Sequence, residues 1–417
     1  MNFRRWFAIK AGKFLLTLGR LYGGGSALPG LMMEKLYPNF MQESLSNLPL
    51  GVAVVSGTNG KTSTTKIVSQ ILTEQNINVF TNPSGSNFLR GVASALLKQC
   101  DSHGKIDAQI AVLELDEAHA IHFVAQIKPT YSLLLNVMRD QLDRFGEVDT
   151  IAHLLEQIAR ATTGSVVVNR EDSHLRAFAA ELNNVIYYGY SDKVGAQLQN
   201  LDDPLTADQL PPAEVELVYY STSSADVYRI GSEKVSAKLK IGGLYNHFNV
   251  AGGIALAKTI LGNQLDPDRL VNSLRNLEPA FGRGEKFLIG GQTTELILVK
   301  NPSGFQMSIN SLANPNAAIM LAVNDNYPDG RDTSWLWDVD FTKLPQKTVH
   351  TTTGSRCFDV TNRLKYDLKK VKNSQADLNT ATSQFLEINQ PRQIYTTYTA
   401  MLQIRKILLK AVKGEKA

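Results

Sequence analysis

An α/β fold with a mostly parallel sheet is predicted by three observations. Short apolar, β-branched runs recur at residues 52–55, 79–81, 110–113, 131–136, 166–168 and 185–188, separated by helix-like stretches. Buried strands that alternate with helices form parallel sheets covered on both faces. The first run leads into a glycine-bracketed loop, and a second, smaller set of strands and helices begins near Pro279.

The chain opens on Arg4-Arg5-Trp6-Phe7-Ala8-Ile9-Lys10, superficially like a twin-arginine export signal. Lys10 and Lys13 interrupt the apolar run, which stops at Gly19-Arg20 without a small-residue cleavage pattern. No stretch of 18 uninterrupted apolar residues follows, so no membrane-crossing helix is expected. A basic amphipathic helix fits better, packed on the nucleotide domain or resting on an anionic membrane surface. A second short helix is expected at 31–36.

Residues 52–63 read Val-Ala-Val-Val-Ser-Gly-Thr-Asn-Gly-Lys-Thr-Ser, followed by a helical pattern through Ile67, Val68, Ile71 and Leu72. Strand, tight loop and helix form a phosphate cradle: glycines let backbone N–H groups converge on an anion at the positive end of a helix. Gly57, Thr58, Asn59, Gly60, Lys61, Thr62 and Ser63 are the nucleotide-binding candidates. Lys61 is placed to reach the outer phosphates, and the Thr62 hydroxyl to ligate Mg²⁺. Val55 stands where the generic motif has its first glycine.

Ligands of such sheets lie beyond the carboxyl ends of the strands, which gives the polar residues there their interest. Asn82 opens a turn-forming loop through Asn87. Glu114, Asp116 and Glu117 are hard oxygen ligands suited to Mg²⁺. Residues 136–146 read Asn-Val-Met-Arg-Asp-Gln-Leu-Asp-Arg-Phe-Gly, a charge-dense rim for metal and substrate.

With 417 residues, two or three domains are allowed. The chain is 43% hydrophobic and 20% charged, as an ordinary globular protein is, and its net charge of +4 is too small to argue for nucleic acid. Cys100 and Cys357 lie far apart, without metal spacing or a disulfide framework, which fits a reducing cytoplasm. Between 191 and 235 the pattern degrades. Residues 197–212 read as a linker, and 215–220 and 227–230 as short surface strands. After Pro279, a hairpin turning at Gly290-Gly291 precedes apolar runs at 317–323 and 348–352, with helices near 358–366 and 401–412.

Together these motifs resemble the Mur ligase superfamily. The phosphate loop, Glu114 and the 136–146 loop resemble its central ATPase domain. Asn169-Arg170-Glu171-Asp172 resembles its Asn-x-Asp-Asp segment. Tyr245-Asn246-His247-Phe248-Asn249 resembles the helix start beside the adenine. Phe281-Gly282-Arg283-Gly284-Glu285 resembles the junction whose arginine approaches the γ-phosphate. The resemblance therefore adds Asn169, Asn249 and Arg283 to the nucleotide-binding candidates, with Lys61 and Arg283 catalytic and Thr62 and Glu114 as metal ligands. Gln141 stands where many members place a metal-binding histidine.

The segments 298–305, 324–338 and 353–356 resemble the MurT branch. The domains implied are 1–278, the ATP-binding domain with a variable insert at about 191–235, and 279–417, the MurT-type C-terminal domain. MurT proteins commonly carry a four-cysteine zinc ribbon in the middle domain. The insert here has no cysteine, so no structural zinc is expected and its strands are expected to be held by packing alone.

The resemblance implies an ATP-dependent ligase that amidates the D-glutamate α-carboxylate of lipid II through an acyl phosphate. It implies ATP and Mg²⁺ as cofactors, a GatD-like class I glutamine amidotransferase subunit as ammonia source, and work in the cytoplasm at the inner membrane face. Asp332 is the implied third member of the partner's Cys–His pair; the alternative is a turn cap before Trp335. Four acids stand between 325 and 338, with Arg331 as the cation able to pair with one. The competing readings are a folylpolyglutamate synthase-like amino-acid ligase and a non-catalytic P-loop ATPase switch.

Overall fold

The computed structural model describes residues 3–21, 27–82, 88–138, 148–198, 210–221, 224–279 and 282–414. Its contacts divide the chain into two units: one of Met1–Val137, Val148–Leu239 and Asn246–Leu277, the other built mainly on Glu278–Ala417.

In the first unit the β-branched runs become β1 (Val52–Ser56), β2 (Val79–Thr81), β3 (Ile110–Glu114), β4 (Tyr131–Leu134), β5 (Ser165–Asn169) and β6 (Val185–Tyr190). Three further strands, β7 (Val215–Tyr219), β8 (Asp226–Ile230) and β9 (Glu233–Ala237), complete a nine-stranded sheet in the order β2-β3-β1-β4-β5-β6-β7-β8-β9. All pairs are parallel except β7–β8 and β8–β9. Every residue of β1 and β3 is buried, because helices cover both faces and leave no side of the central strands to water. The chain steps from β1 outward to β2 and later returns to β4 on the other side of β1. That reversal opens a crevice at the carboxyl end of β1, where the phosphate loop lies.

The N-terminal helix α1 (Phe3–Leu21) precedes α2 (Ala27–Leu36) and α3 (Phe40–Leu45). After β1 comes α4 (Lys61–Glu74), and α5 (Leu89–Gln99) follows β2. Ala8 and Ile9 of α1 are buried. A Cβ on Gly12 would stand 2.5 Å from a Leu97 methyl carbon, so α1 lies hard against α5. Lys13 Nζ donates to the Cys100 carbonyl and Arg5 pairs with Glu43 at 2.9 Å. Phe7 and Phe14 remain exposed. Among the described residues no helix is long and apolar enough to cross a membrane.

The insert departs from expectation. Its strands extend the main sheet, and packing alone does not hold them. Glu216 of β7 receives Arg170 at 2.6 Å and Arg229 at 2.9 Å, and Asp226 of β8 is buried against His247. Burial on the sheet edge removes these carboxylates from water, so each takes a cation or N–H partner instead. The linker read at 197–212 falls largely outside the described residues.

In the second unit the hairpin is β10 (Arg283–Ile289) and β11 (Gln292–Leu298), antiparallel across Gly290-Gly291. Both turn glycines have positive φ, 59° and 75°, which only glycine adopts without strain. With β12 (Ala318–Ala322), β13 (Thr348–Thr353), β14 (Lys370–Gln375) and β15 (Arg392–Thr396) they form a second sheet in the order β10-β11-β15-β12-β13-β14. Phe305, Trp335, Phe341 and Tyr395 fill one face and Phe385, Met401 and Ile404 the other.

Candidate active site

The phosphate loop is shaped by two glycines. Gly57 has φ 135° and Gly60 φ 91°. A Cβ at Gly57 would stand 2.9 Å from the Asn136 nitrogen, and one at Gly60 2.8 Å from Asn249 Nδ2. No larger residue fits either position, so the cradle is as tight as its backbone allows. Asn136, just past β4, pins the loop. It accepts from Asn59 N at 2.9 Å, donates to Asn59 O at 3.0 Å, and its own carbonyl accepts from Thr58 N at 3.0 Å.

Lys61 begins α4 with its side chain buried. Its Nζ donates to the Gly57 and Thr58 carbonyls and lies 3.0 Å from Glu117 Oε2. Glu117 opens α6 (Glu117–Gln126) and is likewise buried. The ammonium group is thus held at the loop by a carboxylate. The Thr62 hydroxyl donates to Glu114 Oε1 at 2.7 Å. A hydroxyl and a carboxylate side by side are the oxygen donors a hard divalent cation takes. Asn82 fixes Glu114 by exchanging both backbone bonds with it, each 2.9 Å. Among the described residues no three His, Cys, Asp or Glu side chains are placed to hold a metal on their own.

Ser63 follows in the first turn of α4, half-buried. Asn169, a nucleotide-binding candidate, also braces strand ends: it donates to Leu135 O at 2.9 Å and accepts from Glu171 N at 2.9 Å. The helix Leu244–Leu261 carries Asn249, which is buried against Gly60. Ring contacts with Tyr188 and Tyr190 hold Phe248 beside it. Arg283 opens β10 of the second unit, and its side chain lies outside the described set. So do residues 83–87 and 139–147, which include Gln141 and the charged rim. Glu117 and Asn136 carry the geometry without having been singled out for these contacts. Their signal was there: each lies within three residues of the end of a strand that flanks β1.

In the second unit, three of the four acids between 325 and 338 have separate partners. Arg356 lies 2.7 Å from Asp325, and Ser355 Oγ also donates at 2.7 Å. Together they hold the Asp325 carboxyl below the usual carboxylate range. The cation expected at Arg331 is supplied to Asp325 by Arg356. Asp329 is buried, which pushes its pKa up, and it accepts from Thr399 N at 2.7 Å. Asp332 is half-exposed and receives Ser334 N at 2.8 Å and Ser334 Oγ at 2.9 Å. Both bonds are local, to the residue just ahead of the buried Trp335, and a carboxylate has lone pairs to spare for a further donor. Both cysteines are buried and burial pushes their thiols up, the reverse of an activated nucleophile.

Comparison with known proteins places this geometry. Residues 55–257 match the Mur ligase middle domain and residues 298–401 the MurT ligase C-terminal domain. The lipid II isoglutaminyl synthase (glutamine-hydrolyzing) subunit MurT of Streptococcus pneumoniae is 32% identical over 98% of this chain and 98% of its own. The Staphylococcus aureus subunit of that name is 25% identical over 99% of both. Among solved structures, MurF ligase of Thermotoga maritima in complex with ADP shares the fold, with a TM-score of 0.68 and 17% identity over 93% of this chain and 84% of its own. This chain therefore belongs to the MurT family of Mur ligases and is an ATP-dependent ligase.

Proposed function

We propose that the chain is the synthetase subunit of a lipid II isoglutaminyl synthase, converting the α-carboxylate of D-glutamate in the stem peptide to the amide. The observation that carries this is the full-length similarity to the pneumococcal MurT subunit, joined to a phosphate cradle with Lys61, Thr62 and Glu114 in place.

A carboxylate cannot expel oxide when ammonia attacks, so the oxygen must first be made a leaving group. In the proposed reaction a carboxylate oxygen attacks the γ-phosphorus of ATP, and ADP departs. Ammonia then adds to the acyl carbon of the resulting acyl phosphate. Phosphate leaves with the former carboxylate oxygen, and a proton is lost from nitrogen. Lys61 exchanges Glu117 for phosphate oxygens and neutralises charge on the transferred group. The resemblance assigns Arg283 a share of that task. Mg²⁺ held by Thr62 and Glu114 would shield the phosphoryl oxygens. No zinc is part of the proposal.

Ammonia comes in this reading from a separate glutaminase subunit of the GatD type, since neither buried thiol suits glutamine attack. Asp332 orients that partner's histidine as the third member of a Cys–His pair. The chain works at the inner face of the cell membrane, where α1 offers Phe7 and Phe14, exposed seven residues apart, with Lys10 between them and no acidic residue in the helix. The deciding experiment supplies lipid II, ATP and either ammonium or glutamine, with and without the partner, and reads the stem peptide by mass spectrometry. An amino-acid ligase of the folylpolyglutamate synthase kind would instead add a residue's mass, and a P-loop switch would leave lipid II unchanged.

A further inference from the structure

We propose that Asp226, in the edge ribbon of the first sheet, is a positioning residue for the nucleotide loop, acting through His247 and the helix Leu244–Leu261. Asp226 is 1% exposed, His247 5% and Tyr228 0%. His247 Nδ1 donates to Asp226 Oδ2. The Tyr228 hydroxyl lies 3.3 Å from the same carboxylate oxygen and 3.0 Å from the His247 carbonyl. Strand β8 is therefore tied to the helix's first turn twice, through Tyr228 to the His247 backbone and through Asp226 to the His247 side chain. Ser221 N reaches the other carboxylate oxygen at 3.4 Å, and the Tyr220 ring stands edge-on to His247 at 4.8 Å.

What this lock fixes is the approach of the helix to the phosphate loop. Two residues beyond His247, the Asn249 side chain occupies the space a Cβ on Gly60 would need. One turn further, a Cβ on Gly252 would meet the Tyr188 ring at 2.9 Å, and one on Gly253 would meet Ile67 of α4 at 2.6 Å. Without side chains at these two positions, the helix lies directly on Tyr188 and on the helix that carries Lys61 and Thr62. Close-packed contacts transmit small shifts rather than absorb them. A displacement at His247 therefore moves Asn249 against Gly60 and changes the width of the cradle.

The inference rests on ATP as the ligand of the phosphate loop and not on the identity of the acceptor. The test is calorimetric titration of the full chain with MgATP, beside a thermal melt, for Asp226→Asn, Tyr228→Phe and Arg229→Gln. Asp226→Asn keeps the shape and removes the charge. Tyr228→Phe removes one hydroxyl and serves if the first variant does not fold. Arg229→Gln breaks the ribbon's ion pair with Glu216 and reports on loosening of the ribbon. The expected result is ATP binding weakened about tenfold by Asp226→Asn and about threefold by Tyr228→Phe, with Arg229→Gln binding like the wild type. Unchanged ATP affinity in every folded Asp226 and Tyr228 variant overturns the inference, as does equal weakening by Arg229→Gln. A wild-type chain that binds no ATP removes the nucleotide reading itself.

Discussion

Lys61 Nζ lies 3.0 Å from Glu117 Oε2, and both side chains are buried. The phosphate-loop lysine is thus half of a buried ion pair. Removing one member of such a pair leaves the other charge without compensation, at a cost of about 3–5 kcal/mol. Lys61→Ala is expected to lower stability by that order and to abolish product. Lys61→Ala with Glu117→Gln should regain most of the stability and none of the activity. Denaturant melts and product assays on the two variants check this; a single variant as stable as wild type contradicts it.

Burial also acts on Glu295. Desolvation pushes its pKa up, partly offset by the bond from Gln393 at 2.7 Å and by Lys286. A carboxyl with a raised native pKa binds protons more readily folded than unfolded. It opposes stability when ionised, and that penalty is relieved as pH falls through the native pKa toward the unfolded value. Glu295→Gln is expected to raise the melting temperature at pH 8, with the gain disappearing on acidification into that window. A gain that persists at pH 4 would assign the effect to something other than the charge.

The exposed stripe of α1 gives a vesicle measurement. Full-length protein should sediment with anionic phosphatidylglycerol vesicles more than with neutral phosphatidylcholine ones. Phe7→Glu with Phe14→Glu should weaken binding about tenfold or more, since each buried phenyl ring contributes ~1.5–3 kcal/mol. Equal sedimentation of wild type and double variant would remove α1 from membrane contact.

Asp332 separates two roles by nitrogen source. If its carboxylate orients the partner's histidine, Asp332→Asn should cripple glutamine-driven amidation, leave complex formation intact, and spare ammonium-driven amidation. If it only caps the turn through Ser334, both nitrogen sources should fail together and the isolated chain should melt earlier. Initial rates with each donor, beside a melt, read the difference.

Much of this architecture was legible because it follows from short-range chemistry. The runs that became β1 to β6 and the Gly290-Gly291 hairpin announce themselves by β-branching and turn residues. The phosphate loop does so by its glycines and Lys-Thr. What stayed hidden depends on partners distant in sequence. Nothing near Lys61 says that Glu117, 56 residues later, neutralises it. Nor does the segment around Asn169 say that its amide bridges Leu135 O and Glu171 N. The ribbon after residue 210 reads as packing alone because Asp226 and His247 meet across 21 residues of chain. The polar Arg392 and Gln393 likewise mask Arg392–Thr396, the buried strand between β11 and β12.

The central claim is amidation of lipid II with nitrogen delivered by another subunit. The measurement is the mass of the lipid II stem peptide after incubation with ATP, Mg²⁺ and the isolated chain, given ammonium in one arm and glutamine in the other. The account predicts slow amidation at high ammonium, none with glutamine, and glutamine-driven amidation once the glutaminase subunit is added. Glutamine-driven product from the isolated chain, or an amino-acid adduct in place of the amide, would contradict it.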